Sequence, residues 1–209
     1  VHDHDHDRLI SLMEGVEDIP DVVLTEGLEW NWNSFSDYLN ILDNKGFDMD
    51  IGAQIPHGAL RLYVMGQRGA DRESATQEDI KKMAELSAEA IENGAIGFTT
   101  SRTVFHKTSK GELVPSFDAA GNELIQIAKE IGKTGKGVLQ LVSDFLGGYD
   151  EFKMLEKMVE ESGCPISITL AQTDGTKYDY KDLLGWIEDA AKRGLPVRAQ
   201  ACGRPIGLM

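Results

Sequence analysis

The sequence predicts an α/β protein whose centre is a parallel β-sheet. The main signal is a repeated unit, in which an amphipathic helix ends at a glycine and a short strand with polar residues at its end follows. Helices that alternate with strands in this way are joined by right-handed crossovers and form a parallel sheet. The repeat occurs five times, at Gly46, Gly94, Gly135, Gly163 and Gly194.

Five strands leave the arrangement of the sheet open. A complete eight-stranded barrel typically takes about 250 residues. This chain has 209 residues, so a doubly wound open sheet fits the length better. Against a nucleotide-binding sheet of that kind, no Gly-rich phosphate loop follows any of the predicted strands.

Residues 1–46 are predicted to be a helical lead-in to the sheet. Asp7–Gly15 has the apolar spacing of a short helix, and Val16–Trp32 is interpreted as a connector. A second helix is expected to run to Asn44, because Asn33 or Ser34 can cap its first turn.

The repeated units are expected to begin at residue 47. Phe47–Ile55 is predicted to be the first strand, and a helix is expected at about Ala59–Met65. Thr76 and Asp79 resemble a capping box, with Asp in place of the usual Glu, and the helix after them is expected to cover Gln77–Asn93.

The clearest unit is Gly94–Arg102. Gly94 stands where a left-handed residue usually ends a helix. Ala95–Phe98 is predicted to be a strand buried on both faces, and Thr99–Arg102 is predicted to be a polar tip where that strand emerges. The loop that follows, Thr103–Ser116, has the length of an active-site cover or a mobile segment.

Three further units complete the pattern. Each is predicted from a stripe of apolar residues at helical spacing, followed by a glycine and a short β-rich run. The predicted helices and strands are Asn122–Lys133 with Val138–Ser143, Asp150–Ser162 with Pro165–Ala171, and Tyr180–Arg193 with Val197–Ala201.

Composition excludes several classes of partner. The formal net charge is -14, which repels nucleic acid and anionic membrane surfaces. No apolar run approaches the roughly 20 residues that span a bilayer, and the given residues do not open on a basic segment followed by an apolar one. Cys164 and Cys202 are too few for a disulfide framework, and we interpret them as reduced thiols of a cytoplasmic protein.

Polar residues at the ends of the predicted strands are the candidates for chemistry. Parallel strands present their carboxyl ends at one edge, where such side chains can converge into a pocket. Pocket lining is the favoured interpretation for Asp144, Ser101 and Arg102. For Gln140, Gln172, Arg198 and Gln200, pocket lining and paired polar groups inside a barrel are equally good interpretations.

The histidines give weaker signals. His57 follows the first predicted strand, where it could reach the site or hydrogen-bond backbone at a tight turn. His106 is expected to be solvated in its loop. His2, His4 and His6 alternate with Asp, but no apolar strand precedes them, so we interpret them as a solvated helix start and not as a metal site. The chain has no Cys/His cluster, no G-x-S-x-G elbow and no P-loop.

Several blocks of the chain resemble the N-acyl-D-amino acid deacylase (D-aminoacylase) branch of the amidohydrolase superfamily. They are Leu12–Pro20, Pro56–Arg61, Gly94–Arg102, Arg198–Gln200 and Arg204–Gly207. The resemblance implies a (β/α)8 barrel that hydrolyses N-acylated D-amino acids with zinc-activated water. The chain is then one partial barrel domain, residues 1–209, with about five of the eight strands, and is expected to be cut at both ends.

The resemblance also implies where zinc ligands should lie. The family's H-x-H motif and bridging cysteine are expected before Val1, and its essential Asp beyond Met209. Two further histidines are expected on strands that match Val138–Asp144 and Pro165–Gln172, and neither segment contains one. No metal ligand is therefore assigned in this chain.

Two functional hypotheses follow. In the first, the chain is the central part of an enzyme that hydrolyses C–N bonds of N-acyl amino acids or related small amides. Arg102 or Arg198 then binds the substrate carboxylate, Asp144 is a ligand or an acid–base group, and Ser101, Gln140, Gln172 and His57 contact the substrate. In the second, the chain comes from a non-catalytic relative that binds a small carboxylate ligand.

We expect the 209-residue piece by itself to be inactive. Sheet edges whose neighbouring strands are missing invite pairing with another copy, so self-association is also expected. A phosphate-binding barrel enzyme is disfavoured by the acidic charge.

Overall fold

The centre of the structure is a sheet of five parallel strands. It is seen in a computed structural model that describes residues 1–171, 178–201 and 203. The strands are β1 (Gln54–Pro56), β2 (Gly97–Arg102), β3 (Val138–Ser143), β4 (Ile166–Thr169) and β5 (Val197–Gln200). Each strand pairs with the next one in the chain, so the order across the sheet is β1-β2-β3-β4-β5.

This order decides between the two arrangements that the sequence left open. A doubly wound sheet reverses its strand order at one point, whereas here every connection steps the same way. Successive right-handed crossovers in one direction place their helices on one face of the sheet. The sheet is therefore of the singly wound kind from which barrels are built, and the doubly wound alternative is wrong.

Nine α-helices are present among the described residues. Five belong to the lead-in and its junction with the sheet: α1 (His6–Glu17), α2 (Asp21–Gly27), α3 (Phe35–Asn44), α4 (His57–Met65) and α5 (Gln67–Ala70). The other four cover the sheet: α6 (Gln77–Glu92), α7 (Gly121–Gly132), α8 (Tyr149–Ser162) and α9 (Tyr180–Lys192). None of the helices in the described ranges is long and apolar enough to cross a membrane.

The hydrophobic core lies between the sheet and these helices. Phe98, Leu139, Ile166 and Val197 form one row across β2–β5, and all four are buried. The inward residues of α7 and α8, including Leu124, Ile127, Phe152 and Leu155, are buried against the same face.

The opposite face of the sheet is open and polar. Thr99, Gln140, Ser167 and Arg198 form one row across β2–β5, with Pro56 of β1 beside Thr99. Thr99, Gln140 and Ser167 are half-buried, and Arg198 is exposed. We call these four residues the polar row.

Local signals placed the longer helices correctly. Ser34 and Thr76 are the N-caps of α3 and α6, and each forms a capping box with an Asp three residues later. The glycines predicted to end the four later helices all have positive φ: 113° at Gly94, 68° at Gly135, 71° at Gly163 and 82° at Gly194. A left-handed residue at these points turns the chain from each helix toward the next strand.

The predicted strand Phe47–Ile55 is wrong in its extent. Only Gln54–Pro56 pairs with β2, and Gln54 lies opposite Gly97, the first residue of β2. The residues before Gln54 therefore have no residue of β2 beside them. Met49 is 69% exposed, so the apolar alternation before β1 does not face a core.

The predicted strand Ala95–Phe98 begins two residues too early. Ile96 is 53% exposed and precedes the sheet, so this segment is not buried on both faces. The residues predicted as a polar tip, Thr99–Arg102, are paired with β3 and form most of β2. Two short helices, α2 and α5, lie where a connector and a loop were expected.

Candidate functional site

The open face of the sheet leads to a pocket at the carboxyl ends of β3 and β4. Its volume is about 170 Å³, and it lies among Thr103, Phe105, Val142–Phe145, Thr169, Leu183 and Trp186. We call it the mouth pocket. In parallel α/β folds this end of the strands is where substrates bind.

Asp144 lines the mouth pocket and fixes the loop above it. Its Oδ1 accepts a hydrogen bond from the Thr103 hydroxyl at 2.7 Å, and its Oδ2 accepts one from the backbone N–H of Val104, also at 2.7 Å. A carboxylate has about four acceptor positions, so Asp144 keeps the capacity to bind another donor. The predicted site residue is thus placed at a pocket and held in one orientation.

Ser101 lies on the open face, opposite Val142 in the β2–β3 pairing. Its hydroxyl is 2.8 Å from Nδ1 of His106, in the loop that follows β2. The expectation that His106 is solvated is wrong, because the side chain is half-buried and desolvation lowers its pKa. The pair ties the loop to the end of β2.

Arg102 points to the helix-covered side of the sheet. Its Nε donates to Glu151 of α8 at 2.8 Å, and one terminal nitrogen donates to the carbonyl of Ala119 at 2.7 Å. Glu151 also accepts a hydrogen bond of 2.6 Å from the Ser143 hydroxyl. The guanidinium is therefore engaged in joining β2, β3 and the start of α8.

His57 is enclosed at the start of α4. Its Nε2 is 2.7 Å from Glu123 Oε1 and its Nδ1 is 2.9 Å from the Thr100 hydroxyl. Desolvation lowers the pKa of His57, so the neutral ring donates from Nε2 to Glu123 and accepts from Thr100. The side chain lies on the covered side of the sheet, away from the polar row.

A buried ion pair completes the surroundings of His57. Arg61 donates to both carboxylate oxygens of Glu123, at 2.6 and 2.5 Å. Burial by itself raises the pKa of Glu123, but the hydrogen bonds from His57 and Arg61 outweigh it and hold the pKa below its ordinary value. Arg61 also donates to the carbonyl of Glu73, which joins α4 to the chain before α6.

The remaining candidates differ in placement. Arg198 and Gln140 belong to the polar row, with Ser167 of β4 between them. The Arg198 guanidinium is exposed, and within the described structure it donates to the carbonyl of Val197 at 3.1 Å. Gln172 lies outside the described residues.

The structure thus brings five predicted residues to one face of the sheet and leaves two on the other. Gln140, Arg198, Gln200 and Ser101 lie on the open face, with Asp144 at its upper edge. His57 and Arg102 hold the covered side together.

Sequence reasoning missed Arg61, Glu123 and Glu151. Two features of the sequence could have indicated Arg61 and Glu123. His57 and Arg61 are four residues apart and so share a helix face. Glu123 occupies the inward stripe of α7, four residues before Ile127, where a charge has to be paired.

The described residues do not fit a catalytic metal centre. Among them, no three His, Cys, Asp or Glu side chains come together in a way that could hold a metal ion. A catalytic zinc site needs about three protein ligands. At the mouth pocket the Asp144 carboxylate already accepts two hydrogen bonds, and Nδ1 of His106 is engaged with Ser101.

A larger cavity of about 350 Å³ lies elsewhere, beside β1 and the lead-in helices. Its walls are mostly apolar and include Trp30, Trp32, Phe35 and Tyr38. Converging polar groups mark a reactive site better than size does, so the smaller mouth pocket is the candidate functional site.

The chain matches known proteins over most of its length. The model of the amidohydrolase family covers residues 1–208. Among curated relatives, D-aminoacylase from Alcaligenes xylosoxydans xylosoxydans is 28% identical over 113 residues, which is 54% of this chain and 21% of that protein.

Two solved structures are similar to this chain in fold. A D-aminoacylase structure, described for its binuclear metal centre, has a TM-score of 0.65 and 24% identity over 80% of this chain. N-acyl-D-glutamate deacylase from Bordetella bronchiseptica, bound to zinc and a phosphonate inhibitor, has a TM-score of 0.64 and 18% identity over 82%. The chain spans 33% and 34% of these two proteins, and about a fifth of the curated relative.

These likenesses confirm two expectations. The five parallel βα units form part of a TIM-barrel-type fold of the kind found in D-aminoacylase. The resemblance to the D-aminoacylase branch is confirmed as well. With a family model that matches nearly every residue, the chain belongs to the amidohydrolase family.

Proposed function

We propose that the whole protein hydrolyses the amide bond of N-acyl amino acids, with N-acyl-D-amino acids as the substrate class. Family membership supports hydrolysis, and the D-aminoacylase relatives support the substrate class. The observation that carries the proposal is the exposed guanidinium of Arg198 in the polar row, two strands from Asp144. Such a guanidinium is suited to bind a substrate carboxylate.

Arg198 is the better of the two predicted carboxylate-binding residues. Arg102 already donates to Glu151 and to the carbonyl of Ala119. Moving it to a substrate would leave a largely buried carboxylate without its cation, which is costly. Arg198 has no carboxylate partner among the described residues, and its one hydrogen bond there is to a backbone carbonyl.

The other roles follow from position. Gln140 and Ser101 offer hydrogen bonds from the open face, and Asp144 is assigned proton transfer at the scissile amide. Gln172 remains a predicted substrate contact. We assign His57 and Arg102 to support of the covered side. Any zinc centre of the whole protein draws its ligands mainly from outside the described residues.

The test replaces Arg198 with glutamine in the whole protein. Loss of a charged hydrogen bond of this kind weakens binding by about 10- to 100-fold, so KM for N-acetyl-D-amino acids should rise by that factor. Lys157→Gln, which removes an exposed cation of α8, is the matched control and should leave KM unchanged.

A substrate analogue identifies the group that Arg198 binds. Replacing the carboxylate of the substrate by a neutral amide should weaken binding to the unaltered protein, with no further loss in Arg198→Gln. An unchanged KM in Arg198→Gln, or equal losses in the two proteins with the neutral analogue, contradicts the assignment.

A non-catalytic relative that binds a small carboxylate is the second candidate. It is favoured by one observation: the described residues contain no group of three metal-binding side chains. Metal content and hydrolysis of an N-acyl-D-amino acid panel separate the two. A metal-free, inactive whole protein that these ligands still stabilise against heat supports the second candidate and rejects the first.

A further inference from the structure

The outer part of the loop that follows β2 is folded into a short hairpin. Lys107 and Leu113 form an antiparallel bridge, and the backbone N–H of Thr108 donates to the carbonyl of Glu112 at 2.8 Å. Gly111 turns the chain between them, with a φ of 80°. These hydrogen bonds join the residues of the hairpin to one another, so a displacement of one of them is passed to the rest.

The hairpin lies directly on α1. The backbone N–H of Ser109 donates to the carbonyl of Ser11 at 2.8 Å, and the two hydroxyl oxygens are also 2.8 Å apart. One turn further along α1, a Cβ on Gly15 would overlap the carbonyl oxygen of Lys107 and lie 2.6 Å from the backbone nitrogen of Ser109. Only a residue without a side chain lets two backbones approach this closely.

The inner part of the same loop contacts the candidate site. Thr103 and Val104 donate to the two carboxylate oxygens of Asp144, at 2.7 Å each. Two residues later, His106 is joined to the end of β2 through its ring nitrogen Nδ1. The next residue, Lys107, is the one whose carbonyl lies against α1. A hairpin pushed away from α1 therefore disturbs the partners of Asp144 within four residues of chain.

We propose that Gly15 is a positioning residue of the candidate site: its close contact with the backbone of residues 107–109 holds the loop so that Asp144 keeps one orientation at the mouth pocket. This inference rests on the proposed function, which assigns proton transfer to Asp144. Such a group must lie within hydrogen-bond reach of the amide, and a misplacement of about 1 Å costs about 100-fold in rate. The lead-in helix α1 thus acts on the site without lining the pocket.

The test replaces Gly15 with alanine in the whole protein. The added Cβ should push the hairpin away from α1, so kcat for an N-acetyl-D-amino acid should fall by about 10- to 100-fold. KM should change much less, because the proposed carboxylate-binding residue Arg198 lies on β5, away from the loop. Gly27→Ala is the matched control. Gly27 ends α2 in the same lead-in and a Cβ there meets nothing within 4 Å, so both constants should stay unchanged.

The ionisation of His106 distinguishes positioning from a general loss of stability. Desolvation lowers the pKa of His106, while the charges of Glu17 at the end of α1 and of Asp144 act in the opposite direction. Displacement of the loop returns the ring to water, so NMR titration should show its pKa rising toward 6.5 in folded Gly15→Ala and staying constant in Gly27→Ala. The His106 signal is assigned by its absence from His106→Gln.

Ser109→Pro tests the same contact from the side of the loop. It removes the N–H that donates to Ser11 and leaves the sequence of α1 unaltered. Because Ser109 is exposed, this variant should fold even if Gly15→Ala does not. We again expect kcat to fall and the pKa of His106 to rise.

An unchanged kcat, or an unchanged pKa of His106, in a folded variant of either kind overturns the proposal. So does a change in Gly27→Ala equal to that in Gly15→Ala. If the unaltered whole protein hydrolyses no N-acyl-D-amino acid, the proposed function fails separately, and the pKa of His106 in the two variants still decides whether Gly15 holds the loop in place.

Discussion

His57 ties the stability of the fold to pH. Burial lowers its pKa below the ordinary value of 6.5, so the folded chain keeps the ring neutral where the unfolded chain takes up a proton. The stability from this neutral ring is complete above pH 6.5 and is lost as the pH falls below it. Each extra proton bound by the unfolded chain costs about 1.4 kcal/mol per pH unit.

We therefore expect the unaltered chain to lose more unfolding free energy than His57→Gln between about pH 7.5 and pH 5.5, by up to roughly 1.4 kcal/mol. Denaturant unfolding at each pH measures this difference. Burial also lowers the pKa of His106, which gives both proteins a pH dependence of the same sign. Only the difference between the two proteins therefore reports on His57. Thr100→Val keeps the buried imidazole and should retain the full pH dependence. Identical pH dependence in His57→Gln contradicts the prediction.

The buried charges show where sequence reasoning ends at this scale. His57 and Arg61 could be placed on one helix face from their spacing, but their shared partner Glu123 is 62 residues from Arg61. No local pattern specifies that a carboxylate on the helix of one βα unit pairs with a guanidinium on the helix of another. The polar character of the strand ends, by contrast, could be predicted from the sequence, because it depends on which residues follow an apolar run.

At the scale of elements, two glycines in helices should respond oppositely to alanine. A Cβ on Gly132, the last residue of α7, would lie 2.2 Å from the carbonyl oxygen of Ser162 in α8. A Cβ on Gly185 in α9 meets nothing within 4 Å. The first position requires close approach of two backbones, and the second does not.

Gly132→Ala should therefore lower the unfolding free energy by about 1–3 kcal/mol, the range for overpacking. Gly185→Ala should raise it by about 0.5–1 kcal/mol, because alanine is the better helix former. Thermal and urea unfolding of the two variants give both signs. A stabilising Gly132→Ala would contradict the close packing of α7 on α8.

Helices were predicted more accurately than strands for a physical reason. A helix end is fixed by residues within one turn, as with the capping box of Thr76 and Asp79. A strand end is fixed by the strand beside it. Phe47–Ile55 has the alternation of a strand, yet only its last two residues, with Pro56, meet a partner.

For the whole molecule, the sequence predicted parallel βα units but could not order them. Doubly wound sheets and barrels use the same alternation of helix and strand, and the order depends on which face each crossover takes. The resemblance to a known family supplied the barrel. The observed order β1-β2-β3-β4-β5, with helices on one face, agrees with it.

The same order leaves β1 and β5 each with a single strand partner among the described residues. In β5, Arg198, Ala199 and Gln200 are all exposed. An exposed strand edge carries unpaired backbone donors and acceptors that can pair with a second chain. The open polar face does not prevent this, because pairing occurs in the plane of the sheet.

We therefore expect the 209-residue chain in isolation to self-associate, with a mass by light scattering above that of the monomer at tens of micromolar. Ala199→Lys places a charge on the edge strand and should reduce the associated fraction, because edge lysines oppose strand pairing. Ala191→Lys adds the same charge at an exposed position of α9 and is the control. A monomeric unaltered chain, or equal effects of the two lysines, would show that the β5 edge does not drive association.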